Sequence, residues 1–119
     1  MRKPARAAIR RVRDPLEWLR KACRALPGVV EVEAWGRPNF KAGGRGFAAF
    51  EIWKGRPSIA LLADAEEQEL LVESFGFFRT PYAGKRGWVS AWVDEPAPLE
   101  LMKNLLRDAH RRATAPRRR

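Results

Sequence analysis

The sequence predicts an α+β fold: an antiparallel sheet of about five to six strands flanked by helices, in the order αββββαββα. Three observations point to it. The chain has 119 residues, 45% hydrophobic and 32% charged, which is the size and balance of one globular domain with one core. Apolar residues recur at helical spacing towards both ends and alternate with period two in between. The alternating runs are joined by short glycine turns, which leave room only for antiparallel neighbours.

Asp14-Pro15-Leu16-Glu17 opens the first helix. Asp caps it, Pro is preorganised for the first helical position, and Glu17 stands where a capping-box carboxylate belongs. Leu16, Leu19, Cys23 and Leu26 make one face, and Pro27-Gly28 stops the helix. Residues 29–35 alternate as a half-exposed strand, with Val30, Val32 and Ala34 on one side and Glu31 and Glu33 on a wet side. Gly36-Arg37-Pro38-Asn39 reads as a turn into a short strand over 40–42. Gly43-Gly44 is a hairpin signal, since both residues tolerate positive φ. The next strand covers 45–53, with Phe47, Ala49 and Trp53 on one face and Ala48, Phe50 and Ile52 on the other. Lys54-Gly55 turns into a strand over 58–62. Asp64 repeats the cap logic for a second helix that Gly76 closes. Residues 77–79 are extended, 81–87 form a loop tip, and 88–93 form a strand with Val89, Ala91 and Val93 opposite Trp88, Ser90 and Trp92. Pro96 and Pro98 lead into a last helix with a stripe of Leu99, Met102, Leu106 and Ala109, and Leu105 beside it. No internal repeat or linker is visible.

Charge is the outlier in the composition. Lys and Arg number 24 against 14 Asp and Glu, a formal +10. Residues 1–13 carry six cations and residues 111–119 five, with no acid in either stretch. Residues 14–110 hold 13 cations and 14 acids, so the whole excess lies in two arms. The chain divides into a basic N-terminal arm (1–13), a domain (14–112) and a basic tail (113–119). Within the domain, 36–57 carries Arg37, Lys41, Arg45, Lys54 and Arg56 against Glu51 alone, and 79–93 carries Arg79, Lys85 and Arg86 with no acid. Acids gather at Asp64, Glu66, Glu67, Glu69 and Glu73. A body built this way can present one positive side to a polyanion; plain solvation of the surface accounts for the same cations.

Catalytic patterns are missing. One cysteine, Cys23, excludes an internal disulfide framework and a multi-cysteine zinc site, and suits a reducing cytoplasm. It reads as a small core residue. One histidine, His110, leaves no pair for a metal or relay and reads as a surface residue at a helix end. Gly84-Lys85 is followed by Arg86 and lacks the upstream glycine of a phosphate loop. None of Ser58, Ser74 and Ser90 sits in a nucleophile elbow. Asp14, Pro15 and Glu17 follow the basic stretch where a secretory signal needs an apolar run, and no segment approaches the ~18 apolar residues of a membrane span. The expectation is a cytoplasmic protein that is not an enzyme and holds no metal or cofactor.

Five tryptophans are many for this length, and Trp35, Trp53, Trp88 and Trp92 lie on strands. Aromatic rings on a solvated sheet flanked by Lys and Arg stack single-stranded bases; the same rings can fill a core. Trp88, directly after Lys85-Arg86-Gly87, is the ring expected to be exposed.

Two runs are recognisable as a pair. The first is Glu33-Ala34-Trp35-Gly36-Arg37-Pro38-Asn39-Phe40-Lys41 with Gly43-Gly44-Arg45-Gly46-Phe47-Ala48. The second is Pro81-Tyr82-Ala83-Gly84-Lys85-Arg86-Gly87-Trp88-Val89. Over about residues 14–110 this pattern resembles the MmcQ/YjbR family of small bacterial proteins. The resemblance implies a helix-flanked antiparallel sheet similar in outline to the frataxin-like CyaY arrangement, and DNA binding through a proposed double wing of hairpins. Arg45 stands where the family usually has Lys, which keeps the charge. Ala109-His110 stands where it usually has Ser-Tyr, so no role of that Tyr carries over.

The combined expectation is a monomeric, non-catalytic DNA-binding protein with weak sequence preference. Its wings are the Gly43-Gly44 hairpin and the 81–87 loop. Arg37, Lys41, Arg45, Lys85 and Arg86 contact phosphates, with Lys54, Arg56 and Arg79 in support and Trp88 exposed beside them. The rival expectation is a regulatory module whose polarised face binds an acidic protein partner.

Overall fold

A computed structural model describes residues 9–116 of the chain. Its elements are β1 (Ile9–Arg10), α1 (Pro15–Arg24), β2 (Val30–Ala34), β3 (Arg37–Ala42), β4 (Arg45–Trp53), β5 (Arg56–Leu62), α2 (Ala65–Phe75), β6 (Phe78–Arg79), a 3₁₀ turn (Gly84–Arg86), β7 (Trp88–Trp92), β8 (Ala97–Pro98) and α3 (Leu99–Thr114). The caps form as their residue types dictate. Asp14 Oδ1 accepts the Glu17 amide at 3.1 Å and Asp64 Oδ1 the Glu67 amide at 2.8 Å, each satisfying a donor that the helix leaves free.

Six strands form one antiparallel sheet in the order β2-β3-β4-β5-β7-β6, and β1 pairs with β8 in a small second sheet. Three two-residue turns join β2 to β5: Trp35-Gly36, Gly43-Gly44 and Lys54-Gly55. Both residues of each turn have positive φ, the geometry whose twist matches that of the flanking strands. The first turn therefore lies one residue earlier than Gly36-Arg37-Pro38-Asn39 suggests. Pro38 sits inside β3 opposite Glu33, beyond Asn39, the last β3 residue that pairs with β4. Its missing N–H costs little there.

The register defines two faces. Phe40, Ala48, Leu61 and Val89 form a row across β3, β4, β5 and β7 on the face that α3 covers. Leu19 and Cys23 of α1 and Met102, Leu106 and Ala109 of α3 complete this core, all at or near zero exposure. Asn39, Ala49, Ala60, Ser90 and Phe78 form the matching row on the opposite face, which carries no helix. Helices thus cover one face only, as α+β architecture allows.

Four readings need correction. Phe47 does not share a face with Ala49 and Trp53. The register shifts beside Lys41, and Phe47 is the extra residue of a β-bulge. That turns its ring into the helix-side core, edge-on to His110 with centroids 5.5 Å apart. His110 is accordingly half-buried, and its Nε2 lies 2.7 Å from the Pro27 carbonyl oxygen, tying α3 to the turn after α1. On β2 Glu31 is exposed like Glu33 but lies on the helix side, bonded by Arg20 of α1 at 2.9 Å, and Val30, on the side expected to be covered, is 58% exposed; β2 is an edge strand. Lastly, β1 and β8 were not anticipated: two-residue strands are too short to show periodicity. β1 lies within the stretch set apart as an arm, and Arg11 Nη1 donates to the Asp94 carbonyl at 3.3 Å. Residues 1–8 and 117–119, which carry the outer arm cations, lie outside the described residues.

Gly87 is the tightest point of the backbone. Its φ is +92°, and a Cβ there would stand 2.5 Å from the Ala63 carbonyl oxygen. Gly87→Ala combines left-handed strain with a backbone clash and is expected to cost about 3 kcal/mol or more. Gly36→Ala, with φ +76° and no atom within 4 Å of the new methyl, is expected to cost about 1 kcal/mol. Urea unfolding of the two variants against the parent measures both values.

Candidate functional site

The helix-free face has small, buried residues in its central row: Ala49, Ala60 and Ser90 are at most 2% exposed. Thr80 lies on Ser90, and residues 80–83 with Arg86 and the aromatic side chains of the strands line the space over Ala49. Thr80 and Ser90 share a hydrogen bond between hydroxyls at 2.7 Å. Gln68 of α2, itself buried, donates Nε2 to the carbonyls of Gly84 (2.9 Å) and Trp88 (2.8 Å), and its Oε1 accepts from Arg79. Every hydrogen-bonding atom of that amide except one lone pair is engaged, so the loop is pinned from below.

Between this loop and the β2–β4 end of the sheet lies a cleft of about 580 Å³. Its walls are Trp35, Trp53, Tyr82 and Trp88; its polar groups include Arg37, Asn39, Glu51, Thr80 and Arg86; Ala49 lies at its floor. Trp35 and Tyr82 are 97% and 92% exposed. Both have left-handed backbones, with φ of +57° and +68°, a conformation that costs a bulky residue about 1–3 kcal/mol and that clusters at functional sites. Trp53 is held in place: its Nε1 donates to Glu51 Oε1 at 3.0 Å, and the Arg37 guanidinium lies over its ring at 4.8 Å.

The residues singled out from sequence separate into three groups. Arg37, Arg86 and Trp88 line the cleft. Lys41, Lys54 and Lys85 are exposed and, like Arg86, have no salt bridge or side-chain hydrogen bond among the described residues. Lys41 shares the open face with Asn39, and Lys54 tips the β4–β5 turn. The other cations already have partners. Arg45 Nη1 donates to the Arg112 carbonyl at 3.2 Å, satisfying a free acceptor at the C-terminal end of α3, and Gly43 lies against Ala113 and Thr114. The Gly43-Gly44 hairpin is thus packed on α3 at its tip. Arg56 grips Asp94 through two bonds of 2.8 and 2.9 Å, reaches Glu95 at 3.1 Å, and lies over Trp92 at 4.1 Å. That fork holds the Asp94 carboxyl below its usual range and pushes Arg56 up. Arg79 serves Gln68. Trp88 is half-buried, and the exposed rings of the cleft are Trp35 and Tyr82 instead.

Sequence reasoning placed Trp35 and Trp53 on strands and left out Tyr82, Glu51 and Asn39 as site residues. A usable signal was present for the exposure of Trp35 and Tyr82. Trp35-Gly36 and Tyr82-Ala83-Gly84 put large aromatics inside turn sequences, where no core position exists to receive them. Glu51 carried no local signal, because its role comes from the strand register.

The fold and cleft together define a class, a small α+β protein whose helix-free sheet face carries an aromatic-lined cleft. The chain belongs to the YjbR family, whose model matches residues 24–112. It is similar to the solved structure of Deinococcus radiodurans protein DR2400, described with the family-model domain DUF419: TM-score 0.70, 26% identity, 82% of this chain and 79% of that one covered. No curated protein matches the chain. No helix among the described residues is long and apolar enough to cross a membrane.

Two expectations test this description. Gln68→Leu removes one of the two bonds to each of the Gly84 and Trp88 carbonyls, which keep the Gly87 and Thr80 amides, and should cost about 1–2 kcal/mol while accelerating amide hydrogen exchange across residues 83–87. Cys23 is fully buried, and burial pushes its thiol up to about 12. Below that value the thiolate is scarce, so alkylation of native protein at pH 8 should be slow and should become fast in denaturant.

Proposed function

We propose that this protein is a non-catalytic binder of single-stranded nucleic acid. Unpaired bases enter the cleft on the open sheet face, and exposed cations follow the backbone. One observation carries this reading: two almost fully exposed aromatic rings, Trp35 and Tyr82, stand on strained turns at a cleft that also holds Trp53, Trp88, Arg37 and Arg86. Exposed aromatics in water are unfavourable unless something covers them, and a base has an apolar face of matching size. Stacking is worth about 1–3 kcal/mol per base and tolerates any base.

Duplex DNA fits this face poorly, because paired bases are stacked on both sides and offer a ring nothing to cover. The DNA contact expected at two hairpin wings is therefore redistributed. The 81–87 loop keeps its part through Lys85 and Arg86, whereas the Gly43-Gly44 hairpin contributes Lys41 rather than Arg45, whose guanidinium is engaged with α3. Lys54 extends the same basic surface. The arm cations add salt-sensitive attraction that carries no sequence information.

Affinity for single strands and duplexes, measured against salt, tests the proposal. Single strands should bind more tightly, with a log K against log salt slope of roughly −0.7 for each phosphate neutralised. The double variant Lys85→Ala/Arg86→Ala should make that slope shallower by about 1.4. Trp35→Ala and Tyr82→Ala should each weaken binding about tenfold with little change in the unfolding midpoint. Equal affinity for duplex and single strand, untouched by the two aromatic variants, would contradict the proposal and leave charge alone at work.

A further inference from the structure

We infer that the cleft selects guanine among unpaired bases and that Glu51 is the residue that reads it. The inference rests on the single-strand reading above and adds a specificity to it.

Glu51 lies on β4 between Ala49 and Trp53 in a side-chain environment that leaves it 19% exposed. One of its oxygens is committed, since Oε1 accepts the Trp53 indole N–H at 3.0 Å. The other, Oε2, accepts no hydrogen bond among the described residues; its nearest cation is Arg37 Nη1 at 4.0 Å. The Arg37 guanidinium is directed elsewhere, with Nη2 donating to the Ile52 carbonyl at 3.4 Å and its plane over Trp53. The carboxylate is therefore oriented by one bond, partly desolvated, and left with open acceptor capacity in a cleft walled by four aromatic rings. Carboxylates only accept hydrogen bonds at neutral pH, and charge-assisted bonds are the strong ones.

The four bases differ sharply in what they offer such an acceptor. Guanine presents two adjacent donors on its Watson–Crick edge, the ring N1–H and the N2 amino group. Adenine and cytosine each present an amino group beside a ring nitrogen whose lone pair faces the carboxylate. Thymine and uracil present one N3–H between two carbonyls that repel it. Only guanine meets Glu51 without repulsion while its ring lies against the aromatic walls. The volume of about 580 Å³ lies within the range of pockets that enclose small organic ligands. The positive rim supplied by Arg86 and Lys85 suits the flanking phosphates.

The test uses the full chain and oligothymidine strands of about nine nucleotides, a length near one binding site, with the central base varied at one fixed salt concentration. Quenching of tryptophan fluorescence reports binding. The guanine-centred strand should bind about tenfold more tightly than strands centred on adenine, cytosine or thymine. Hypoxanthine at the centre, which lacks only the N2 amino group, should fall between. Glu51→Gln keeps an oxygen for the Trp53 indole and should bring the guanine-centred strand down to the level of the thymine strand. The same strands made as RNA show which sugar the cleft takes. Equal affinity for all central bases, or a guanine preference that survives Glu51→Gln, overturns the inference while leaving single-strand binding intact. Failure of every strand to bind overturns both.

Discussion

The second face of the sheet has no helix to cover it, and the loop that Gln68 pins replaces one. Thr80 and the residues that follow it lie beside Ser90 and Ala49, and the rest of the segment to Gly87 is anchored on α2 and the end of β5. Three contacts hold it there: the Gln68 amide on two carbonyls, the Thr80–Ser90 hydroxyl pair, and Gly87 pressed against Ala63. A loop is a narrower cover than a helix. It closes over part of the face and leaves a cleft along its border, with Tyr82 on the loop and Trp53 on the sheet meeting at 6.3 Å. The cleft is thus a consequence of how the fold solves its packing problem, and the aromatic residues at its edge are free to serve a ligand.

Much of this architecture was readable from local patterns. The caps at Asp14 and Asp64, the stripe of α3 and the alternation of β7 each depend on neighbours within one turn or one strand, and each formed as its residues require. What could not be read depended on pairing across the sheet. A one-residue bulge beside Lys41 moved Phe47 to the other face, and the edge position of β2 exposed Val30. Neither leaves a trace in composition. The family motifs were legible as a pair of runs, but the way they converge was not: Trp35, Glu51 and Tyr82 are distant in sequence and meet only through the register of β2 to β4 and the fold-back of the loop.

Charge was legible as an amount and not as an availability. Five of the nine residues singled out from sequence carry guanidinium groups, and four of those, Arg37, Arg45, Arg56 and Arg79, already satisfy backbone carbonyls, acids or the Gln68 amide. Arginine is well suited to such structural work because its planar fork makes several bonds at once. The lysines Lys41, Lys54 and Lys85, with Arg86, remain exposed, and Arg86 lines a cleft that is aromatic and close to neutral. Binding on this surface would therefore divide between stacking, which is insensitive to salt, and phosphate contacts, which are not.

The central claim is that the helix-free face receives the ligand. Hydrogen–deuterium exchange of the full chain, with and without a saturating single-stranded oligonucleotide, tests it most directly. The account predicts protection confined to residues 34–41, 49–53 and 80–88, with exchange in α1 and α3 unchanged. Protection concentrated on α1 and α3 or at the Gly43-Gly44 tip, with the cleft segments unaffected, would contradict it.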